Sequence, residues 1–258
     1  MSKLAPENKF IDISDYGRFI AKRFAKLLVN THVTPVHVTL LFFITGLAAI
    51  YCILHAYYWG ALILLILKSI IDAADGELAR LRKKPSYIGR YLDSNLDLVL
   101  NFLILLSISN LTNTPFWIMF TAFFAMQLQG TVFNYYYTIL RNNSKGGDTT
   151  SRIEENSFPI ALHGENQQMV NVLFIAYTIF YGGFDRIIIA LDRNAKNCNS
   201  LPNWFMSFVS IYGLGFQLLI IGIMLAVGFI HFIIPFFIGY SIFIVVLIAI
   251  RKLMFKAS

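Results

Sequence analysis

The chain has 258 residues, 57% of them hydrophobic, with a formal net charge of +7 and a mean hydropathy of +0.64. A water-soluble domain of this length would carry more polar surface, and several apolar runs reach the roughly 20 residues that span a bilayer. The composition therefore describes an all-α, polytopic membrane helix bundle. Continuous rather than alternating apolar runs argue against a membrane barrel, and no basic face of a soluble domain speaks for nucleic acid.

Residues 1–33 read as a polar tail followed by an interfacial amphipathic helix, and residues 34–258 as a transmembrane domain that holds the candidate site. The polar start, Met1 to Phe10, has no cleavable signal peptide pattern. From Ser14 to Asn30, Tyr16, Phe19, Ile20, Phe24 and Leu27 share one helical face, opposite Arg18, Lys22 and Lys26. Such a helix lies in the headgroup plane; a cytosolic helix packed on protein is the competing reading. Thr34-Pro35 opens a first span at about 37–57, with Pro tolerated in the first turn. His37 and His55 mark its two interfaces, and Tyr57, Tyr58 and Trp59 form an aromatic belt. A second span runs over about 61–80, followed by the cations Arg80, Arg82, Lys83, Lys84 and Arg90. The third and fourth spans fall at about 88–109 and 116–140, joined by an uncharged loop. Residues 141–168 form a polar loop with Gly146-Gly147 and Glu154-Glu155, the expected mobile segment.

Residues 169–191 are apolar enough to cross but contain Gly182-Gly183 and Asp185-Arg186. Two more spans follow at about 204–228 and 230–250, closed by Arg251, Lys252 and Lys256. If 169–191 does not cross, there are six core spans and every Lys and Arg except Lys68 lies on the cytoplasmic side, as the positive-inside rule prefers. The segment then reads as a re-entrant or interfacial helix broken at the glycine pair, with both termini in the cytoplasm. Cys52 and Cys198 show neither metal spacing nor a disulfide framework.

The stretch from Asp72 to Asp97 carries the chemistry. A charge at the centre of a membrane helix costs roughly 2.5–3.5 kcal/mol, so a carboxylate cluster here needs a cation, a partner or water. At 100° per residue, Asp72, Asp75, Gly76, Ala79 and Arg80 share an arc of about 140°, together with Lys68. Gly89, Asp93 and Asp97 form an i, i+4, i+8 stripe on the next span. Asp72 and Asp97 both lie about 12 Å in from the intervening loop, so the deeper carboxylates of two antiparallel helices meet at one level. Converging carboxylates suit hard divalent cations such as Mg²⁺, Mn²⁺ or Ca²⁺. Gly76 and Ala79 leave room for a ligand, and the planar fork of Arg80 suits a phosphate. Lys68 reads as the ion-pair partner of Asp72. Gln127, Gln129 and Asn134 either line an acceptor cavity or hold helices together. Arg141 reads as topological or as an acceptor-phosphate ligand, Asp185 and Arg186 as neutralising each other, and Glu77 as outside the carboxylate cluster.

The pattern Asp-x2-Asp-Gly-x2-Ala-Arg-x8-Gly-x3-Asp-x3-Asp, eight positions within 26 residues, resembles the signature of the CDP-alcohol phosphotransferase (CDP-alcohol phosphatidyltransferase) family. The resemblance implies six core transmembrane helices behind an interfacial helix, and transfer of a substituted phosphate from a CDP-linked donor to an alcohol with release of CMP. It implies that Asp72, Asp75, Asp93 and Asp97 hold metal, two ions of Mg²⁺ or Mn²⁺, and that Asp97 is the general base. Gly76, Ala79, Arg80 and Gly89 would then contact the nucleotide and its phosphates. Pro35 and Thr39 match positions ahead of the signature, with Thr39 a nucleotide contact, although Val36 stands where the family often has Asn. A homodimer in contact with membrane lipids is implied in the same way. The motif recognises the CDP diphosphate only, so a CDP-diacylglycerol donor with a soluble alcohol, favoured here, stands beside a CDP-choline- or CDP-ethanolamine-type donor with a lipid alcohol. A cation channel or transporter is the reading of another class.

Overall fold

Helix α1 (Arg18–Leu28) forms where the sequence is amphipathic, but it divides its surface three ways. Ala21 and Ala25 are buried against α3 (Tyr58–Leu81), Phe19, Ile20 and Leu27 stand exposed, and Lys22 and Lys26 face water. Small residues let α1 lie close on its neighbour while the large apolar ones remain available to lipid. Arg82, just past α3, takes the orphan carbonyls at the end of α1, donating to Leu28 O at 2.6 Å, Val29 O at 3.2 Å and Thr31 O at 2.8 Å. The computed structural model describes residues 9–142, 157–198 and 201–254. Gly146-Gly147 and Glu154-Glu155, on which the expectation of a mobile loop rests, lie outside them.

Helix α2 (Pro35–Leu54) starts with a reciprocal cap. The Thr34 hydroxyl accepts from His37 N at 3.3 Å, and His37 Nδ1 accepts from Thr34 N at 3.2 Å. His37 is thus a capping residue. Helix α2 packs against both α3 and α4 (Tyr87–Thr112). Gly46 permits the second approach, since a Cβ there would stand 2.5 Å from Leu100 Cδ1. Helices α3 and α4 do not pack closely on one another but face each other across a cavity. Helix α5 (Phe116–Asn142) returns antiparallel to α4 after a three-residue turn.

Helix α6 runs from Gln167 to Leu191 without interruption, so the break expected at Gly182-Gly183 is absent. An internal glycine weakens a helix by only about 1 kcal/mol. Here Tyr181 and Phe184 hold the flanking turns, the first donating to Ser94 O at 2.9 Å and the second packed at a tilt on Phe124 with ring centroids 4.9 Å apart. The bend lies further on, at Gly213. Helix α7 (Asn203–Val209) and a short 3-10 turn (Ser210–Tyr212) meet α8 (Leu214–Ala226) at 50°. The N-terminal segment fills that elbow: a Cβ on Gly215 would lie 2.1 Å from the Ser14 carbonyl oxygen. The chain ends in α9 (Ile230–Tyr240) and α10 (Ile242–Met254).

The two ends of α6 meet the same end of the bundle. Phe174, early in α6, packs edge-on against Tyr91 in the first turns of α4, with centroids 5.6 Å apart. Asp192, its C-cap, accepts from Tyr136 in the last turns of α5 at 2.7 Å and from Arg251 Nε of α10 at 2.6 Å. Because α4 and α5 are antiparallel, the start of one and the end of the other lie side by side. Among the described residues, α2, α4, α5, α6 and the α9–α10 stretch are each long and apolar enough to cross a bilayer, and the bent α7–α8 pair makes a sixth. Helix α3 matches them in length but carries Lys68, Asp72 and Asp75 among its apolar residues. Ile44, Ile63, Trp117, Val172 and Val245 stand exposed on the outside of these helices, a surface that belongs in lipid. The chain is an integral membrane helix bundle.

Candidate active site

The gap between α3 and α4 is a cavity of about 720 Å³. All eight signature residues and Thr39 line it: Thr39 from α2, Asp72, Asp75, Gly76, Ala79 and Arg80 from α3, and Gly89, Asp93 and Asp97 from α4. The helical period places them so, because each set repeats at three- or four-residue steps and turns one face inward.

Asp72, Asp75 and Asp93 come together, with one carboxylate oxygen from each lying within 4.8 Å of the others. Asp75 is 8% exposed and its Oδ2 accepts from the Thr39 hydroxyl at 2.6 Å. Asp93 Oδ1 is buried without a hydrogen-bond partner among the described residues. An unpartnered buried carboxylate oxygen is costly to maintain, and three such groups at one point repel. An all-oxygen donor set with an orphaned atom fits a hard divalent cation. Asp97 stands outside that trio. Its Oδ1 is ion-paired with Lys68 Nζ, which also lies 3.6 Å from Asp72 Oδ2 and 4.6 Å above the Phe42 ring. Lys68 is 1% exposed, so it compensates carboxylates of both helices rather than Asp72 alone.

At the other end of the motif, Arg80 Nη2 donates to Glu77 Oε2 at 2.7 Å, while its buried Nε has no partner among the described residues. Glu77 does lie outside the carboxylate trio, but it is 4% exposed and anchors Arg80, with Arg18 of α1 at 4.0 Å. Gly76 lies under this guanidinium, 3.4 Å from Nη1 to where a Cβ would be. Gly89 serves the start of α4: its N–H donates to the capping Ser86 hydroxyl at 2.8 Å, and a Cβ there would crowd that oxygen at 3.3 Å. Ser86 in turn donates to Glu165 at 2.7 Å, and Glu165 also accepts from Ile88 N at 2.9 Å. A carboxylate at a helix N-terminus is well placed, and it fastens the loop before α6 beside the cavity.

Three other parts of the lining were not assigned to the site from the sequence. The N-terminal segment contributes Asp12, Ser14 and Asp15, held by Ile11 N to Ser207 Oγ at 3.1 Å and Ile13 N to Ser210 Oγ at 3.0 Å. Helix α6 contributes Tyr177, Tyr181 and Asp185, so Asp185 faces the cavity. Asn101 continues the stripe Gly89, Asp93, Asp97 by one more turn; that signal was present in the spacing. Of the polar residues of α5, Gln127 and Asn134 line the cavity, whereas Gln129 holds helices together, donating to Phe237 O and Ser241 Oγ, each at 2.9 Å. Lys83 and Lys84 of the loop between α3 and α4, Arg90 in the first turn of α4 and Arg141 in the last turn of α5 also line the cavity. Cys198 takes no part; burial pushes its thiol up, away from the reactive range.

Residues 103 in number align at 38% identity with the bifunctional IPC transferase and DIPP synthase of Thermococcus kodakarensis, covering 39% of this chain and 23% of that protein. The chain therefore spans about a quarter of the relative's length. A family model described as CDP-alcohol phosphatidyltransferase matches residues 32–189, which contain α2 to α5, α6 up to its last two residues, and the whole carboxylate cluster. The chain belongs to the CDP-alcohol phosphatidyltransferase family.

Proposed function

We propose that this protein is a divalent-metal-dependent membrane transferase of phospholipid synthesis. It moves a substituted phosphate from a CDP-linked donor, CDP-diacylglycerol in the favoured case, to an alcohol, and releases CMP. The observation that carries the reading is the joining of three carboxylates, a buried orphan oxygen on Asp93 and the Arg80 fork in one cavity. Asp72, Asp75 and Asp93 would hold Mg²⁺ or Mn²⁺, which supplies positive charge to the diphosphate and improves CMP as a leaving group. Arg80, steadied by Glu77, binds a donor phosphate. Gly76, Ala79, Gly89 and Thr39 line the nucleotide end.

Asp97 takes the proton of the acceptor hydroxyl. With Oδ1 held by Lys68, Oδ2 is the oxygen for that proton. The acceptor oxygen then bonds to the phosphorus that carries the donor's alcohol. The bridging P–O bond breaks, and its electron pair leaves on CMP. The fixed ion pair with Lys68 holds the base in place and aims it.

The basic residues around the cavity and the return of α6 to its starting end support cytoplasmic termini, six crossings and a site open to the cytoplasm. The homodimer implied by the family resemblance is a further part of the proposal, tested by cross-linking in native membranes.

The test is purified protein with Mg²⁺ or Mn²⁺ and a panel of CDP-alcohols and alcohols, read by CMP release. CMP release that EDTA abolishes supports the proposal, and the panel separates a CDP-diacylglycerol donor from a CDP-choline-type one. Ion flux from reconstituted vesicles without CMP release would establish a channel or transporter instead. Asp97→Asn should lose turnover while retaining CDP-alcohol binding; wild-type-like CMP release from it would sink the base assignment.

A further inference from the structure

Below the carboxylates the cavity continues to a floor that the reaction just described does not use. Asn101 lies one turn deeper than Asp97 on the same face of α4, about 6 Å further in. Gln127 stands opposite on α5. Eleven residues separate Asn101 from Thr112 at the end of α4, and eleven separate Gln127 from Phe116 at the start of α5. The two amides therefore sit at one depth on antiparallel neighbours, and both line the cavity. Asn101 is 4% and Gln127 6% exposed.

Each amide has one buried side-chain atom left open among the described residues. Asn101 Oδ1, an acceptor, and Gln127 Nε2, a donor, are buried with no hydrogen-bond partner among the described residues. Their neighbours behave otherwise: Gln129 and Gln217 hydrogen-bond one another at 3.0 Å, and Gln217 also donates to Met126 O at 3.1 Å. Buried amides in a membrane bundle find partners when their task is to hold helices. Two left open at one depth, one needing a donor and one an acceptor, match a group that is both. A hydroxyl is such a group. An ammonium offers donors only, and neutral amides do not compensate a buried charge.

We propose that Asn101 and Gln127 form a hydroxyl-binding subsite that selects the acceptor, taking a neutral hydroxyl other than the one that reacts at Asp97. The subsite rests on the transferase reading. It makes the acceptor a polyol, free or phosphorylated, in preference to an amino alcohol, and it makes the two amides specificity residues.

The experiment compares wild type with Asn101→Leu and Gln127→Met. Acceptors are glycerol and inositol, their monophosphates, ethanolamine and serine, with CMP release as the readout. Each variant should raise KM for the polyol by about three- to tenfold, the loss of one hydrogen bond, with the donor KM unchanged. Free and phosphorylated polyols as separate arms show which form is used. Replacing an unpartnered buried amide by an apolar group of similar shape should leave Tm unchanged or raised. An acceptor KM changed less than twofold, an equal change in donor KM, wild-type preference for the amino alcohols, or a clear fall in Tm would each overturn the subsite. If wild type releases no CMP with any donor, the transferase reading fails, and inositol is then tested as a ligand alone. A thermal shift by inositol that both variants lose supports the subsite, and its absence in wild type overturns it.

Discussion

At Lys68 a single ammonium serves two carboxylates from two helices. Removing one member of such a buried group leaves the others uncompensated, which costs about 3–5 kcal/mol. Lys68→Met should therefore lower Tm markedly in detergent, and added Mg²⁺ or Mn²⁺ should recover part of the loss by restoring positive charge. Glu77 shows the other kind of positioning. It touches no predicted substrate atom but holds Arg80. Glu77→Gln keeps the shape and weakens the charged pair, so we expect KM for the CDP-linked donor to rise about three- to tenfold with kcat little changed, measured by steady-state CMP release. An equal loss in kcat would place Glu77 closer to the reaction itself.

Among the elements, α2, α4 and α5 match the apolar runs closely, and the inward face of α3 and α4 was legible because helical periodicity is a local property. Asp72, Asp75, Gly76, Ala79 and Arg80 need only a helix to share a face. What joins distant parts of the chain was not legible. The bond from Ile13 to Ser210 bridges 197 positions, and nothing in either neighbourhood announces it. Gly182-Gly183 reads as a break because glycine weakens helices, yet flanking aromatic contacts outweigh that weakness. Gly213 and Gly215 carry the bend because Ser14 occupies the space their side chains would need. Gly215→Ala should consequently dislodge the N-terminal segment. Limited proteolysis would then cut within residues 9–17 in the variant but not in wild type, and CMP release should fall with it, since Asp12, Ser14 and Asp15 form a cavity wall.

For the whole molecule, the open question of the sequence, whether residues 169–191 cross, becomes a statement about where the ends of α6 dock. Phe174 on Tyr91 and Asp192 on Tyr136 fix both ends at one side of the bundle. Gln168→Cys and Lys196→Cys, each in a background lacking Cys52 and Cys198, should be labelled by an impermeant maleimide from the same face of sealed vesicles. Labelling from opposite faces would mean that α6 crosses and that the order of every later segment is inverted.

The same return has a consequence for how the protein is made. During synthesis α6 emerges as a segment that the insertion machinery would, on apolarity alone, thread across the bilayer. Nothing downstream exists yet to hold Asp192, because Arg251 is still some sixty residues from being translated. On the proposed topology, Arg186, Arg193 and Lys196 at its trailing end retain it on the side where it began, and α10 locks the choice only when its arginine arrives. On that topology the buried Asp192–Arg251 pair is a late checkpoint: it closes only on chains whose last two proposed crossings were threaded in the correct direction.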